Sequence, residues 1–387
     1  LKKFLKSKLQ KDLKKKLNII LDNFKKPLAV RSSSLLEDSQ YKPLAGMYST
    51  FMLPNSHTDK KERLQQLCEA IKRIYASTFF QGPKSMMDTF FHRHEEEKMG
   101  IIIMELIGMK HNNLFYPTFS GVAQSYNYYP ISYMKRDEGI VFTALGLGKT
   151  IVDGEKSLRF SPKHPNIFPQ YYSIKSTINN SQNKFYALKM NQGINPLKYG
   201  ESKNLGLHDL DIAEGDGVLK HLGSVVSNND NIIRDTLNET GVRVITFANI
   251  LKYGRYPLTK IIIYLLELGQ KSLGCPVEIE FAVNLNENGL DEFCLLQIKP
   301  MVIGNVQKSE YFSNNVKEEV LCKSNMVMGD GLFKNIRNIL FVDSESFDRT
   351  LTRNIAKEID IINRQMGKDN PYLLIGPGRW GTADPWL

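Results

Sequence analysis

Val277-Glu-Ile-Glu-Phe-Ala-Val-Asn-Leu-Asn-Glu-Asn-Gly-Leu-Asp-Glu-Phe-Cys-Leu-Leu-Gln-Ile-Lys-Pro300 is the stretch on which the reading of the fold turns. Two runs, Val277 to Leu285 and Phe293 to Ile298, flank a polar segment containing Gly289, the pattern of a β-hairpin with a glycine-containing loop. Side chains alternate along a strand, so Glu278 and Glu280 share one face, and Gln297 and Lys299 share one face of the partner strand. The hairpin therefore presents oxygens with an ammonium beside them. Glu280 with Gln297 supplies the carboxylate and amide oxygen that suit Mg2+, which takes few protein oxygens and keeps positions for nucleotide phosphates; Lys299 would offset phosphate charge. A solvated face with a cross-strand pair such as Glu280 with Lys299 is the plainer alternative.

Outward from the hairpin, residues 256 to 272 carry Tyr256, Leu258, Ile261 to Ile263, Leu265, Leu266 and Leu268, which predicts a helix closed by Gly269 or Gly274. Ile101 to Ile107 is apolar enough to predict a strand at the centre of a sheet. Apolar side chains and backbone amides at Met104, Glu105 and Leu106 could hold an adenine ring, although a plain core strand has the same sequence. Residues 139 to 145 predict another strand, running into Gly146-Leu-Gly148. The following Lys149-Thr150 does not make a phosphate loop of the G-x-x-x-x-G-K-[ST] type, because Thr143 stands where its first glycine belongs. Pro27 to Arg31 and Gly46 to Leu53 predict strands, and Asp59 with Glu62 predicts the capped start of a helix with Leu64, Leu67, Cys68, Ile71, Ile74 and Tyr75 on one face, ending near Gln81-Gly-Pro83. Residues 155 to 240 predict extended surface segments followed by helices. The tail, 305 to 387, predicts a strand at Ile339 to Val342, a helix over 350 to 365 and a tight turn at Gly376-Pro-Gly-Arg-Trp-Gly381, where Arg379 is an alternative anion contact.

A chain of 387 residues is long enough for at least two packed units. With 42% hydrophobic and 24% charged residues, and no apolar run of membrane-spanning length, it is expected to be globular, without a membrane span and cytoplasmic. Cys68, Cys275, Cys294 and Cys322 lack paired spacing and are expected to be reduced residues without a metal. His92 and His94 beside Glu95 to Glu97 read as a charged loop. The charge of +10 is local: residues 1 to 26 hold ten lysines against Asp12 and Asp22, a net +8. Leu1, Leu5, Leu9, Leu13, Leu17 and Leu21 recur every fourth residue there, so 1–26 is expected to form one basic amphipathic helix. A solvated lysine face is its ordinary reading, with an anionic membrane surface or nucleic acid as the alternatives; the segment, with no arginine or aromatic platform, is weak evidence for either, and a nucleic-acid partner is not expected.

Val30-Arg-Ser-Ser-Ser-Leu-Leu-Glu-Asp38, followed by Ala45-Gly46 and Thr50, sets an arginine at a strand end, then hydroxyls and a glycine that would let backbone N–H groups approach phosphate, although an arginine before a serine run is more often a surface ion pair or a turn cap. Together with Ser120-Gly-Val-Ala123, Gly146-Leu-Gly148, Val152-Asp-Gly154, Glu278-Ile-Glu-Phe281 and Leu296-Gln-Ile-Lys-Pro300, these pieces stand in the order of the N-terminal ATP-binding domain of phosphoenolpyruvate synthase, pyruvate phosphate dikinase and rifampin phosphotransferase, which the chain resembles over residues 27 to 303. The resemblance implies an α+β, ATP-grasp-like fold of two lobes over 27–304; the tail, 305–387, lies beyond it and is expected from its own pattern to be a smaller α/β segment of open role. It implies ATP and Mg2+ as ligands. By position, Arg31, Gly46 and Thr50 would contact phosphates, and Met104, Glu105 and Leu106 would line the adenine site. Glu280 and Gln297 would bind the metal and nucleotide, with Arg31 and Lys299 stabilising the transferred phosphoryl group.

The chain departs from that pattern at Glu278, usually aspartate, and at Lys299, usually arginine, whose bidentate fork lysine lacks. It shows no Gly-Gly-Lys before Val30, and none of its seven histidines lies in a Thr-His-Ala context, so the phosphohistidine part that passes phosphate to pyruvate in the family is expected to be lacking. The expected function is an Mg2+-dependent phosphotransferase domain with an unidentified acceptor; the alternatives are a non-catalytic ATP-sensing module and an interaction protein with a relic site.

Overall fold

The computed structural model describes residues 1–34, 48–80, 98–128, 130, 134–190, 204–286, 289–301, 335–348, 351–367, 370–378 and 380. Gly46, His92, His94, Glu95 to Glu97, Cys322 and Arg379 lie outside the described residues. Helices and sheets are mixed in an α+β arrangement, and the chain divides into two units: Leu1–Asn127 with Asp137–Met301, and Tyr128–Arg136 with Val302–Leu387.

In the first unit, the lysine-rich start forms two helices instead of the one predicted, α1 (Lys2–Lys6) and α2 (Lys11–Asn23). Ser7 is the cause: its hydroxyl and its N–H both donate to the Phe4 carbonyl, and its extended backbone ends the first helix. The leucine stripe is buried only at Leu17 and Leu21, whereas Leu1 and Leu13 are exposed. Beyond Pro27, β1 (Leu28–Ser34), β2 (Thr50–Leu53) and β3 (Met99–Glu105) make an antiparallel sheet in the order β2-β1-β3. β3, predicted as a central strand, is therefore an edge strand, and Ile102 is exposed; apolar run length reported burial of one face and not the strand's place in the sheet. Between β2 and β3 lies α3 (Lys60–Ser77), capped at its start by Asp59, whose carboxylate accepts from the Lys61 N–H at 2.8 Å.

Alternation gives this sheet two unlike faces. Leu28, Val30, Phe51, Leu53, Ile101 and Ile103 pack with α2 and α3 in a small core that includes Leu17, Leu21, Leu67, Ile71 and Ile74. Ala29, Met52, Met104 and Leu106 point the other way, into the main core.

The main core is built on three further antiparallel sheets. One takes the order β10-β9-β5-β4 from β4 (Met109–His111), β5 (Leu114–Tyr116), β9 (Lys184–Lys189) and β10 (Leu205–Asp209). A second has the order β15-β14-β6-β7-β8, from β6 (Phe119–Gln124), β7 (Ile140–Leu145), β8 (Leu158–Phe160), β14 (Val277–Asn284) and β15 (Glu292–Pro300). The third joins β11 (Gly223–Ser227), β12 (Ile233–Arg234) and β13 (Gly241–Ile245). Short helices lie between their strands or follow them: α4 (Lys149–Val152), α5 (Ile174–Asn180), α6 (Leu210–Gly215) and α7 (Ala248–Leu251). The helix read before the hairpin is α8 (Leu258–Leu273); it ends at Gly274, in the left-handed conformation at φ 67°, while Gly269 is buried within it. A Cβ on Gly269 would lie 2.6 Å from Ile298 Cδ1, so glycine there lets α8 lie close on the hairpin.

In the second unit, β16 (Asn338–Phe341) and β17 (Tyr372–Ile375) pair in parallel, with α9 (Thr352–Met366) between them in the chain. Gly376 lies against the Trp380 ring, where a Cβ would come within 2.8 Å of it.

Candidate nucleotide site

The hairpin forms with the shared faces that its alternation implied, and its register sets Glu278 opposite Lys299 and Glu280 opposite Gln297, so that Lys299 is diagonal to Glu280, with a register shift between Glu280 and Phe281. Val277, Ile279 and Phe281 are buried on the reverse face, which fixes Glu278 and Glu280 on the other. β6 flanks β14 and places Gln124 opposite Glu278 and Val122 opposite Glu280. The close approach here requires Gly121, since a Cβ at that position would sit 2.1 Å from the Phe281 ring and 2.8 Å from the Phe142 carbonyl oxygen.

Each polar group on this face has a defined partner. Lys299 Nζ lies 2.8 Å from Glu278 Oε1 and 4.0 Å from Glu280 Oε1. Gln124 Nε2 donates to the other oxygen of Glu278 at 2.6 Å. Glu278 is thus clamped from both sides, by Lys299 and by Gln124. Arg31 reaches the opposite end of the row from β1: Nη2 donates to Gln297 Oε1 at 2.9 Å, and Nη1 lies 3.7 Å from Glu280 Oε2. Two carboxylates and two cations balance, and the four charged side chains are one-sixth to just over one-quarter exposed.

The three-stranded sheet brings further predicted residues to the face that bears Arg31. Thr50 stands directly opposite Arg31 on β2, and Met104 opposite Ala29, one alternation along β3. Leu106 follows on the same face, buried, its N–H bonded to the Pro27 carbonyl at 2.7 Å. That bond makes Leu106 and Met104 the hydrogen-bonded positions of the ladder, so the N–H and C=O of Glu105 point away from β1. The Glu105 side chain turns to the other face and accepts from the Lys25 and Lys26 N–H groups at 2.7 and 3.0 Å. Its carboxylate secures the entry of the chain into β1, apart from the Arg31 row.

The Gly146-Leu-Gly148 turn has Gly146 at φ 80°, and a Cβ there would lie 2.7 Å from the Tyr186 carbonyl oxygen. Ser120 Oγ donates to the Gly146 carbonyl at 2.8 Å. The lysine that follows is committed elsewhere: Lys149 Nζ is 3.0 Å from Asp153 and lies over the Tyr186 ring. Gln124 was missed from the sequence. It follows directly on Ser120-Gly-Val-Ala123, but its place beside Glu278 depends on β6 being the neighbour of β14, a pairing between residues over 150 positions apart that no local pattern signals.

Among the described residues no three His, Cys, Asp or Glu side chains converge as a metal cluster. The opposed Glu280 and Gln297 oxygens nevertheless fit Mg2+, because this ion binds nucleotide sites through one or two protein oxygens and completes its shell with water and phosphate.

In this α+β unit an arginine from one sheet meets an acid and an amide on another, with a lysine beside the acid, and such groups can bind phosphate. A family model described as pyruvate phosphate dikinase, AMP/ATP-binding domain, matches residues 1–320, and the chain belongs to this family. Adenine nucleotide is accordingly its ligand class. No curated protein matches the chain.

Proposed function

We propose that the first unit is an Mg2+-dependent ATP-binding phosphotransferase domain of the ATP-grasp-like, two-lobed kind, with the lobes within 27–304 and the site between the β1 and β14–β15 sheets. The observation that carries this reading is the convergence of Arg31 on Glu280 and Gln297, residues about 250 or more positions apart in the chain. Glu280 and Gln297 would hold the metal, which when bound neutralises charge between the phosphates. Arg31 and Lys299 would face the phosphate oxygens, stabilising charge as the terminal phosphoryl group leaves. Thr50, and Gly46 outside the described residues, would complete the phosphate contacts. Met104 and Leu106 would enclose the adenine, and the outward backbone groups of Glu105 would read its ring nitrogens. In this reading Glu278 and Gln124 position Lys299.

Lys299 is the group that separates turnover from binding. Its 2.8 Å contact with Glu278 favours, as a second reading, a module that senses ATP without transferring phosphate. Calorimetric titration with ATP, with and without Mg2+, tests the first claim on the parent and on a folded Glu280→Ala, Gln297→Ala double variant. Metal-dependent binding lost in the variant supports the site, and unchanged binding removes both residues from it. Formation of AMP from bound ATP separates phosphotransferase from sensor.

A further inference from the structure

The basic N-terminus gains from the fold what its sequence lacks, an aromatic platform. All ten lysines of residues 1–26 are exposed. α1 packs on α3, where Lys72 Nζ donates to the Leu5 carbonyl at 3.0 Å, and the Phe4 ring lies 5.6 Å from that of Phe79. Beyond that contact the surface stays apolar: Phe79 is 55% exposed, Phe80 43% and Tyr75 39%. Lys2, Lys3, Lys6 and Lys8 lie on the adjoining helix and its C-terminal extension. On α2, Leu13 and Ile19 are also exposed, and Ile19 is one turn from Lys15 and Lys16.

From this juxtaposition we propose that α1, α2 and the end of α3 form a docking surface for an anionic lipid bilayer. Lysines attract the negative headgroup layer while aromatic and aliphatic side chains enter the boundary between headgroups and acyl chains. Complementary charge selects an anionic partner, and the apolar residues select among anions. Leu13 and Ile19 partition into acyl chains but cannot stack on bases, and the segment has no arginine for a base edge. The contact proposed is peripheral, and no described helix is long and apolar enough to cross a membrane. The proposal does not rest on the reading of the nucleotide site.

The test is co-sedimentation of the full chain with phosphatidylserine–phosphatidylcholine vesicles and with phosphatidylcholine vesicles alone. One variant combines Lys2→Glu, Lys3→Glu, Lys6→Glu and Lys8→Glu; another combines Phe79→Ser and Phe80→Ser. These side chains lie outside the buried cores, and circular dichroism verifies that both variants fold. Binding only to the anionic vesicles is expected, weakening with salt, by roughly fivefold for each lysine charge removed, and on loss of the two aromatic rings. No binding by the parent, equal binding to neutral vesicles, or undiminished binding by the lysine variant overturns the proposal. So does capture of a single-stranded oligonucleotide under conditions where vesicles are ignored, which would assign the patch to nucleic acid.

Discussion

Replacing Arg31 by alanine isolates the contact on which the nucleotide reading rests. A hydrogen bond between guanidinium and phosphate contributes about 1.5–3 kcal/mol. Arg31, however, donates to Gln297 at 2.9 Å and faces Glu280 at 3.7 Å within the protein. Phosphate must replace those partners. The first is a charge-to-neutral hydrogen bond and the second a partly solvated ion pair, together offsetting roughly half of the gross gain. The net loss expected for Arg31→Ala is therefore about 0.8–1.5 kcal/mol, a roughly four- to thirteenfold rise in the Kd for ATP. Arg31→Lys keeps the charge without the planar fork and should recover only part of it. Calorimetry at fixed salt and Mg2+ measures both, with thermal unfolding as the control for folding. A folded Arg31→Ala protein with the parent's Kd would refute the assignment of Arg31 to phosphate, whatever the other residues do.

Two further outcomes follow from the packing. Gly121→Ala forces a methyl group within 2.1 Å of the Phe281 ring and against the Phe142 backbone, and should destabilise the protein by about 1–3 kcal/mol, seen as a lower Tm; an unchanged Tm would contradict the close approach. Burial alone would raise the Asp235 carboxyl, but donation from Lys252 at 2.8 Å, Tyr253 at 3.0 Å and Ser224 at 3.0 Å holds it below the ordinary carboxylate value. A depressed folded-state value means stability that is present above the unfolded carboxylate range and lost as pH falls through the folded value. Asp235→Asn should therefore lower stability at neutral pH and flatten its decline in acid, and urea unfolding between about pH 7 and about pH 3 shows whether the two proteins differ in slope.

Local pattern carried the hairpin well. Period-two alternation in Val277 to Pro300 implied both the face shared by Glu278 and Glu280 and the one shared by Gln297 and Lys299, because a one-residue slip would have buried the carboxylates in place of Ile279 and Phe281. Of the two glycines read as the end of α8, Gly274 is the left-handed cap, whereas Gly269 is buried within the helix. What did not show was set by distant partners. The apolar run of β3 gave no sign that β1, and not β3, lies at the middle of its sheet. The leucine period at the N-terminus continued through Ser7, where a side-chain hydrogen bond to Phe4 outcompetes the helix. Arg31 was legible as a candidate from its serine-rich context, but the approach of its fork to Gln297 depends on two sheets meeting, as does the clamp of Gln124 on Glu278.

The sheet of β1, β2 and β3 has one face in each core of the first unit, and this constrains how the protein can open. Were the small core of Leu17, Leu21, Leu67 and Ile74 to come apart as a separate cooperative unit, Val30 would lose its packing and Arg31, its neighbour on the same strand, would lose its fixed position. Partial unfolding on one side of the strand would then dismantle the polar row on the other. By linkage, a ligand gripped by Arg31 would slow amide exchange in α2 and α3, which it never touches.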